Sequence, residues 1–557
     1  MKNLVKAVAV CMAFVMAASC FYGCGAKKAE VAAIALDGDA YAFDDSNGVS
    51  VHDPSLFKAE NGTYYMYGTH IASAKSDDLI NWHTVSNGVF DNNATLVTVK
   101  QTLRQAFAEP LSWCDGYQKQ SKVKKDEWQT NIWASDVIYN KAMGKYCYYA
   151  CSSVWGTSVS VIWFASSPNA EGPFEYEASF VYSGFNKRTF LGMKKSSTHY
   201  SFTNIGSLIE NGTFTEEEVE NAAWFTEKGN YNCSYGAYPN CIDPAVFYDE
   251  NNRMWMVYGS FSGGVYLIPL VEKTGLPDYE YMRNTEGYDI YFGKQITKTN
   301  GETSGTGEGP YITYDKESGY YYLYLTYGGL DALDGYNIRE YRAEQAEGPY
   351  FDAMGNNALD MMNTGLKING NYKFSFNDKA RLSGGHSSCF IDDDKKIYQA
   401  FHQRFNDGEG AVFYDEIHQM LRTENGWHAM LPLRYNGETA EPVNLSDIKG
   451  TYEMILFGDE TTSSEEGEGW ETVQSIIEPL STAEIDENGN MKIYPKNSDK
   501  AVSADIIMRE NAYQFSFEFE NVTYYGAFCL GTNDGGEQVM TFTAVGNNNK
   551  TIWAVAQ

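Results

Sequence analysis

Five polar side chains stand immediately ahead of short apolar runs in this 557-residue chain: Asp53, Asp136, Asp243, Glu308 and His386. Four of them are carboxylic acids. One carboxylate that activates water, facing a protonated carboxylic acid that donates to a leaving oxygen, is the equipment of inverting glycoside hydrolysis. The two groups must stand roughly 6.5–9.5 Å apart so that the water fits between them. A third acidic group beside the acid keeps it protonated near neutral pH by like-charge repulsion. Aspartate is short and glutamate long, so a Glu acid facing an Asp base across a channel is a workable layout. Asp-Pro is also a common turn opener, and one such residue alone reads as a turn. Five in one register, four of them acidic, call for another explanation.

The elements that position them form a repeat. Each unit is a polar residue, a short apolar strand, a turn rich in Asp, Asn, Glu, Lys or Gly, and a strongly aromatic strand. Asp53-Pro-Ser-Leu-Phe leads to Tyr64-Tyr-Met-Tyr, and Asp136-Val-Ile-Tyr to Tyr146-Cys-Tyr-Tyr. Asp243-Pro-Ala-Val-Phe leads to Met254-Trp-Met-Val-Tyr, Glu308-Gly-Pro-Tyr-Ile to Tyr320-Tyr-Tyr-Leu-Tyr, and His386-Ser-Ser-Cys-Phe to Ile397-Tyr-Gln-Ala-Phe. The units recur further apart than the roughly 40–45 residues of a minimal four-stranded blade, so each has room for two more strands and inserted loops. An all-β chain is expected, with a five-bladed β-propeller over 46–442, because radial repetition leaves few exposed strand edges. The innermost strands of a propeller surround its axis, so the five leading side chains should meet at one mouth of the central channel. Trp133, Trp155 and Trp163 are aromatics of the kind that stack on sugar faces. Of these, only Trp133, three residues before Asp136, is placed by register near that mouth. Two long polar stretches, about Leu96–Thr130 and Lys187–Asn240, read as walls of a binding groove, with a short helix around Phe214–Val219.

Residues 443–557 read as a smaller C-terminal β-barrel or sandwich that packs on the propeller without chemistry of its own. Strands are expected at Thr451–Phe457 and Met491–Tyr494. Tyr513, Phe515, Phe517 and Phe519 alternate on one face, as in a half-buried strand. Ser463-Ser-Glu-Glu-Gly-Glu-Gly reads as a solvated loop.

The chain opens with Lys2 and Lys6 and an apolar run from Ala7 to Ala18, too short for a membrane span and typical of an export signal. Gly23-Cys24-Gly25 resembles the lipobox of bacterial lipoproteins. Residues 1–24 therefore read as a lipoprotein signal with Cys24 lipidated, 25–45 as a linker, and the protein as an exported cell-surface lipoprotein; plain secretion is the alternative. Of ten cysteines, seven lie beyond this segment, an odd number that argues against a full disulfide framework. Cys147 and Cys151 read as small buried residues, and Cys233 with Cys241 could pair. No Cys-x-x-Cys pair and no His-Glu-x-x-His occurs, which disfavours a zinc site. The formal charge of −31 would repel phosphate backbones and anionic lipid, so no nucleic-acid partner is expected, and membrane contact only through the lipid anchor. A monomer is expected.

The motifs His52-Asp53-Pro-Ser, Trp133-Ala-Ser-Asp136, Asn240-Cys-Ile-Asp243-Pro-Ala, Gly307-Glu308-Gly-Pro, Gly385-His386-Ser-Ser and His402-Gln-Arg404-Phe together resemble those of glycoside hydrolase family 43, whose members are five-bladed propellers. Ser76-Asp-Asp-Leu-Ile-Asn-Trp82 and Ala165-Ser-Ser-Pro-Asn-Ala-Glu-Gly-Pro-Phe174 are further signatures. Within the family the chain is most similar to extracellular endo-α-1,5-L-arabinanases with a C-terminal β-domain. The resemblance implies an inverting hydrolase of plant cell-wall arabinan. It makes Asp53 the general base, Glu308 the general acid and Asp243 the residue that raises the acid's pKa and orients it. His52, Trp133, Asp136, Asn240 and Arg404 become candidate substrate contacts. His386 matches the histidine beside a calcium ion in these arabinanases, a metal that prefers oxygen ligands; a buried histidine supporting Glu308 is the other reading. Ser135 stands where the family commonly has Pro, and the two insertions leave endo against exo action open.

Other classes fit less well. Gly301-Glu-Thr-Ser-Gly-Thr-Gly-Glu-Gly lacks the Gly-Lys-Ser/Thr of a phosphate loop. Gly385-His-Ser-Ser-Cys lacks the final glycine of a nucleophile elbow. An inactive glycan-binding lipoprotein should have lost one of the three carboxylates, and all three are present. A β-xylosidase or α-L-arabinofuranosidase would keep the trio in a pocket closed at one side.

Overall fold

The computed structural model describes residues 41–42, 49–86, 88–89, 93, 95–96, 101–121, 131–187, 198–233, 237–298, 307–405, 413–458, 476–496, 498 and 500–557. The export segment with Cys24, the linker apart from residues 41–42, the acidic 463–469 run and residues 301–306 of the glycine-rich stretch lie outside them.

Five antiparallel sheets form the propeller blades. The innermost strands are Ser55–Lys58, Ile132–Asn140, Ala245–Tyr248, Glu308–Asp315 and Arg381–Ile391. Each packs against the next, and the fifth returns to the first, so the ring is closed. Every inner strand pairs with the aromatic strand that follows it: Tyr64–Tyr67, Lys145–Ser153, Met254–Ser260, Tyr320–Tyr327 and Ile397–Phe405. Those second strands are buried along almost their whole length. A blade in a propeller is covered on both faces by its neighbours, so its strands carry continuous aromatic and β-branched runs instead of a one-faced alternation.

The ring closes between blades 5 and 1 by side chains reaching backbone. Val51 N–H donates to Asp415 Oδ2 at 2.8 Å, and Leu56 N–H donates to Ser388 Oγ at 3.0 Å. Val49, Val51, Leu56, Met66 and Trp82 meet Tyr398, Ala400 and Ile417 in one apolar cluster across that seam.

Nine strands between Gly450 and Ala556 form one sheet curled into a nearly closed barrel, in which the end strand Val502–Asp505 approaches Gln514–Phe519, the strand next to the other end. Phe515, Phe517 and Phe519 point inward with Tyr452, Phe528 and Phe542 and fill the interior. On the propeller side, Trp553 and Phe457 of the barrel pack on Tyr372 of blade 4's connection to blade 5. Lys367 and Glu478, both almost fully buried, pair across the same interface at 3.1 Å.

The described parts of the two insertions fold into helices that pack on the blades. Leu103, Phe107 and Leu111 join the cluster between blades 1 and 2, with Leu103–Ala106 opened by a Thr102/Gln105 capping box. Ile205, Leu208, Phe214, Val219 and Trp224 join the cluster of blades 2 and 3. The short helix Glu216–Asn221 begins at Thr215, whose side chain and that of Glu218 cap each other's backbone N–H. No disulfide joins the seven cysteines: Cys233 and Cys241 stay thiols, and Cys147 and Cys151 are buried. Among the described residues no helix is long and apolar enough to cross a membrane.

Candidate active site

Each inner strand carries a residue with positive φ, just before the strand in blades 1 and 3 and within it in blades 2, 4 and 5. Asp53, Ala134, Asp243, Gly309 and His386 have φ of 59, 29, 55, 56 and 44°. A left-handed conformation costs a non-glycine residue on the order of 1–2 kcal/mol, and such strain persists where the surroundings over-determine it. These five residues and the two that follow them in most blades line a narrow axial space of about 20 Å³. Interruptions of the strand ladder between Trp133 and Asp136, between Glu308 and Tyr311, and between Gly385 and Ser387 fall at the same level, as bulges that re-aim side chains next to active sites do. The five expected residues therefore do not share one register. Asp53, Asp243 and His386 occupy equivalent positions, Glu308 lies one residue before its turn, and Asp136 lies two residues deeper.

Asp53 is held from all sides. Thr69 Oγ1 donates to its Oδ2, and the same hydroxyl accepts the Ala134 N–H at 2.8 Å. Three imidazoles surround Oδ1: His386 Nδ1 at 3.1 Å, His52 Nε2 at 3.2 Å and His402 Nδ1 at 3.4 Å. Gly68 lies so close that a Cβ on it would come within 2.2 Å of the His52 carbonyl oxygen, so only glycine lets the Thr69 turn approach. Burial alone would push the Asp53 carboxyl up. The charges of His386 and His52 outweigh it and hold the carboxyl well below the usual carboxylate range. Burial keeps the imidazoles themselves below their ordinary value, His402 at about 4. They are neutral at pH 7 and gain protons only in the acid range where Asp53 would titrate, which is where their charge opposes its protonation.

Glu308 and Asp243 behave oppositely. Burial pushes Glu308 up to about 7, with the Asp53 charge adding to it, although Tyr336 donates a 2.6 Å hydrogen bond to Oε1. Asp243 is raised well above the usual range by burial and by the charges of Glu308 and Asp53. Gly309 N–H donates to Asp243 Oδ2 at 3.3 Å. A Cβ at Gly309 would meet the His386 ring at 3.0 Å, so the positive φ and the missing side chain together let Glu308, Asp243 and the His386 imidazole share one corner. Both carboxyl groups are thus shifted toward the protonated form, while Asp53 is held ionised.

The remaining expected residues divide. His52 stacks on Phe413 (ring centroids 3.9 Å apart), and the Arg404 guanidinium lies 4.2 Å from the same ring, so both border the mouth beside Asp53. Trp133 meets Trp155 edge to face at 5.8 Å, and Trp155 is 51% exposed, an open aromatic face on the rim. Asp136 ties blades together: Ser55 donates to its Oδ1 and the Val246 N–H to its Oδ2, and burial pushes it up to about 6. Asn240 sits between blades 2 and 3, where its Oδ1 accepts from Ser160 at 2.8 Å and Ser183 at 3.4 Å. Three residues with no part in the sequence-based site matter here: Thr69, Tyr336 and His402. His402 was visible only as part of the His402-Gln-Arg404-Phe motif. Thr69 and Tyr336 follow a strand end and a loop, with no pattern to mark them.

Among the described residues, one group could hold a metal ion: His52, Asp53 and His402, with ligand atoms within 4.8 Å of one another. Two nitrogens and one carboxylate suit a late first-row metal better than calcium, which prefers six to eight oxygens. His386 is outside that group, and its Nδ1 is directed at Asp53. A larger recess of about 570 Å³ lies on blade 3 between Arg253, Asp278 and Tyr281. It gathers no comparable set: the Arg253 guanidinium covers the Tyr281 ring at 3.8 Å and pairs with Asp278.

Comparison with known proteins agrees with this geometry. Residues 198–427 match the model of glycosyl hydrolases family 43, and 432–554 match a C-terminal lipocalin-like domain. The chain is 30% identical over 525 residues to extracellular endo-alpha-(1->5)-L-arabinanase 2 of Bacillus subtilis (strain 168), covering 91% of this chain and 92% of that one. It is 34% identical over 426 residues to the extracellular endo-alpha-(1->5)-L-arabinanase of Thermotoga petrophila, covering 74% and 77%. The crystal structure of endo-1,5-alpha-L-arabinanase from Thermotoga petrophila RKU-1 superposes with a TM-score of 0.71 at 29% identity, over 92% of this chain and 99% of that one.

Proposed function

The chain belongs to glycosyl hydrolases family 43, and we propose that it is an exported endo-acting hydrolase of the α-1,5-L-arabinofuranosyl backbone of arabinan, working with inversion. One observation carries this: Asp53 and Glu308 stand at one channel mouth with opposite protonation, the first held ionised, the second raised to about 7. Two carboxyl groups whose surroundings push their pKa values apart mark the base and the acid. In this mechanism Asp53 takes a proton from water on one side of the anomeric carbon. Glu308 gives its proton to the departing glycosidic oxygen on the other. Burial and the charge of Asp53 keep Glu308 protonated in the free enzyme, and Asp243, held by the Gly309 N–H beside it, orients the acid. His52, Arg404 and the Trp133–Trp155 pair, at the rim, suit contacts to furanose hydroxyls and faces. Asp136 and Asn240 support this floor from beneath.

The substrate and the mid-chain cutting follow the names of the two similar relatives, both called extracellular endo-arabinanases. Digestion of linear arabinan should release mixed oligomers early; arabinose alone from the first minutes would replace endo action by the arabinofuranosidase alternative. Activity on xylan in place of arabinan would point to the xylosidase alternative.

Two finer points are separate proposals. A calcium ion beside His386 would find one nitrogen and few protein oxygens there, so water would supply most of its shell. Loss of activity in EGTA, restored by calcium, supports it, and unchanged activity removes it. Lipidation at Cys24 would anchor the enzyme to a membrane; Cys24→Ser should then release it to the medium.

A further inference from the structure

We propose that His402 is a positioning residue for the base, and that Tyr336, stacked on it, extends the same brace to the acid. This rests on the acid and base assignments above. The Asp53 N–H donates to His402 Nδ1 at 3.2 Å, a contact between residues 349 apart in sequence. Nδ1 is therefore the bare nitrogen of the neutral ring, and the ring proton sits on Nε2. The bond holds the backbone of Asp53 at φ 59°, a conformation an aspartate adopts only when something keeps it there. It fixes the main chain of the base, which the carboxylate's own partners do not.

The other face of the brace is aromatic. The Tyr336 ring lies nearly parallel to the His402 ring (11°, centroids 5.8 Å apart), and its hydroxyl donates to Glu308 Oε1. Both rings are buried, His402 completely. The packing has a dedicated gap: His402 stands opposite Gly385 in the strand ladder, and a Cβ on Gly385 would come within 2.6 Å of Tyr336 Cδ1. The missing side chain is what lets Tyr336 lie beside His402. One stacked pair thus spans the channel mouth, ending on the backbone of Asp53 at one side and on the carboxyl of Glu308 at the other. The separation of base and acid decides whether a water fits between them, so a brace of this kind acts on kcat more than on substrate binding.

The test is steady-state kinetics on linear arabinan with wild type, His402→Leu, His402→Asn, Tyr336→Phe and His402→Leu/Tyr336→Phe, with thermal unfolding of each. His402→Leu should lower kcat about 10²-fold, the cost of a misplaced group, with KM within about twofold. His402→Asn, whose amide oxygen can again accept the Asp53 N–H, should recover at least about tenfold of that loss. The double variant should lose less than the product of the single losses, because both act through one unit. A kcat for His402→Leu within twofold of wild type, no recovery in His402→Asn, or fully multiplicative losses each overturn the brace. If His402→Leu does not fold, the His402→Asn/Tyr336→Phe cycle decides by the same non-additivity. Glu308→Gln in the same series keeps the two claims apart: full activity there would sink the acid assignment itself, whatever His402 does.

Discussion

The strand Glu308–Asp315 carries an acid at each end, Asp315 buried and Glu308 half-buried on the axis, and the two ends are built for opposite purposes. Asp315 meets Arg422 through two bonds, Nε at 2.7 Å and Nη2 at 2.8 Å, and His428 Nε2 at 3.2 Å. Burial would raise it, but His428 and Arg422 hold it far below the usual range. Glu308, seven residues along, has a tyrosine hydroxyl and other acids near it, and it is raised to about 7. The same chemical group becomes a rivet between blades 4 and 5 at one end and the proposed proton donor at the other. What separates them is the company: a bidentate cation seals the rivet, and the channel end has no such partner and opens on the axis. Burial alone therefore does not mark an active-site acid in this fold; burial without a cation, on the axis, does.

That contrast can be broken by mutation. Glu308→Gln should lose about 10²–10⁴-fold in kcat, the usual contribution of a general acid, while the unfolding midpoint stays within a few degrees. Asp315→Asn should do the reverse. It leaves Arg422 and His428 facing a neutral group, which should cost about 3–5 kcal/mol in urea unfolding, with kcat within about twofold at 25 °C. If Asp315→Asn abolished activity in folded protein, the two ends would not be separable.

The pH dependence sharpens it. Glu308 must be protonated, so kcat/KM should fall as pH rises through about 7. Asp53 must be ionised and is held low, so its protonation should impose no loss until well below the usual carboxylate range. For stability the signs differ again. Asp315, lowered in the folded state, contributes stability above about pH 4 that is lost as pH falls further. Glu308, raised in the folded state, favours folding below about pH 4.5, and that contribution is lost as pH rises through about 7. The smallest effect belongs to Tyr336→Phe. Its hydroxyl stabilises the Glu308 carboxylate, so without it the alkaline limb should move to higher pH, by less than about one unit, in the activity that remains. A shift to lower pH would contradict the donor role.

Much of this was legible in the sequence. The five polar-then-apolar units predict the blades, and the alternation of Phe515, Phe517 and Phe519 predicts a barrel strand with one buried face. The register was not legible. The bulges at Trp133/Asp136 and Glu308/Tyr311 each alter the count of residues between turn and strand, and a pattern of polar before apolar cannot count them. That is why Asp136 looked equivalent to Asp53 and lies deeper, bonded to Ser55 and Val246. The support of the base was also hidden, because Asp53 meets His402 only when blade 5 closes on blade 1, and closure leaves no local signature. The packing of the insertions was hidden for a different reason: their polar stretches mask single apolar residues such as Phe107 and Trp224, each buried against a blade.

The most direct test is a proton-NMR time course of linear arabinan hydrolysis at early times. A base and an acid on opposite sides of the anomeric carbon predict β-configured reducing ends first, with the α form growing in only by mutarotation. The α-anomer as first product would contradict the water-activating role of Asp53.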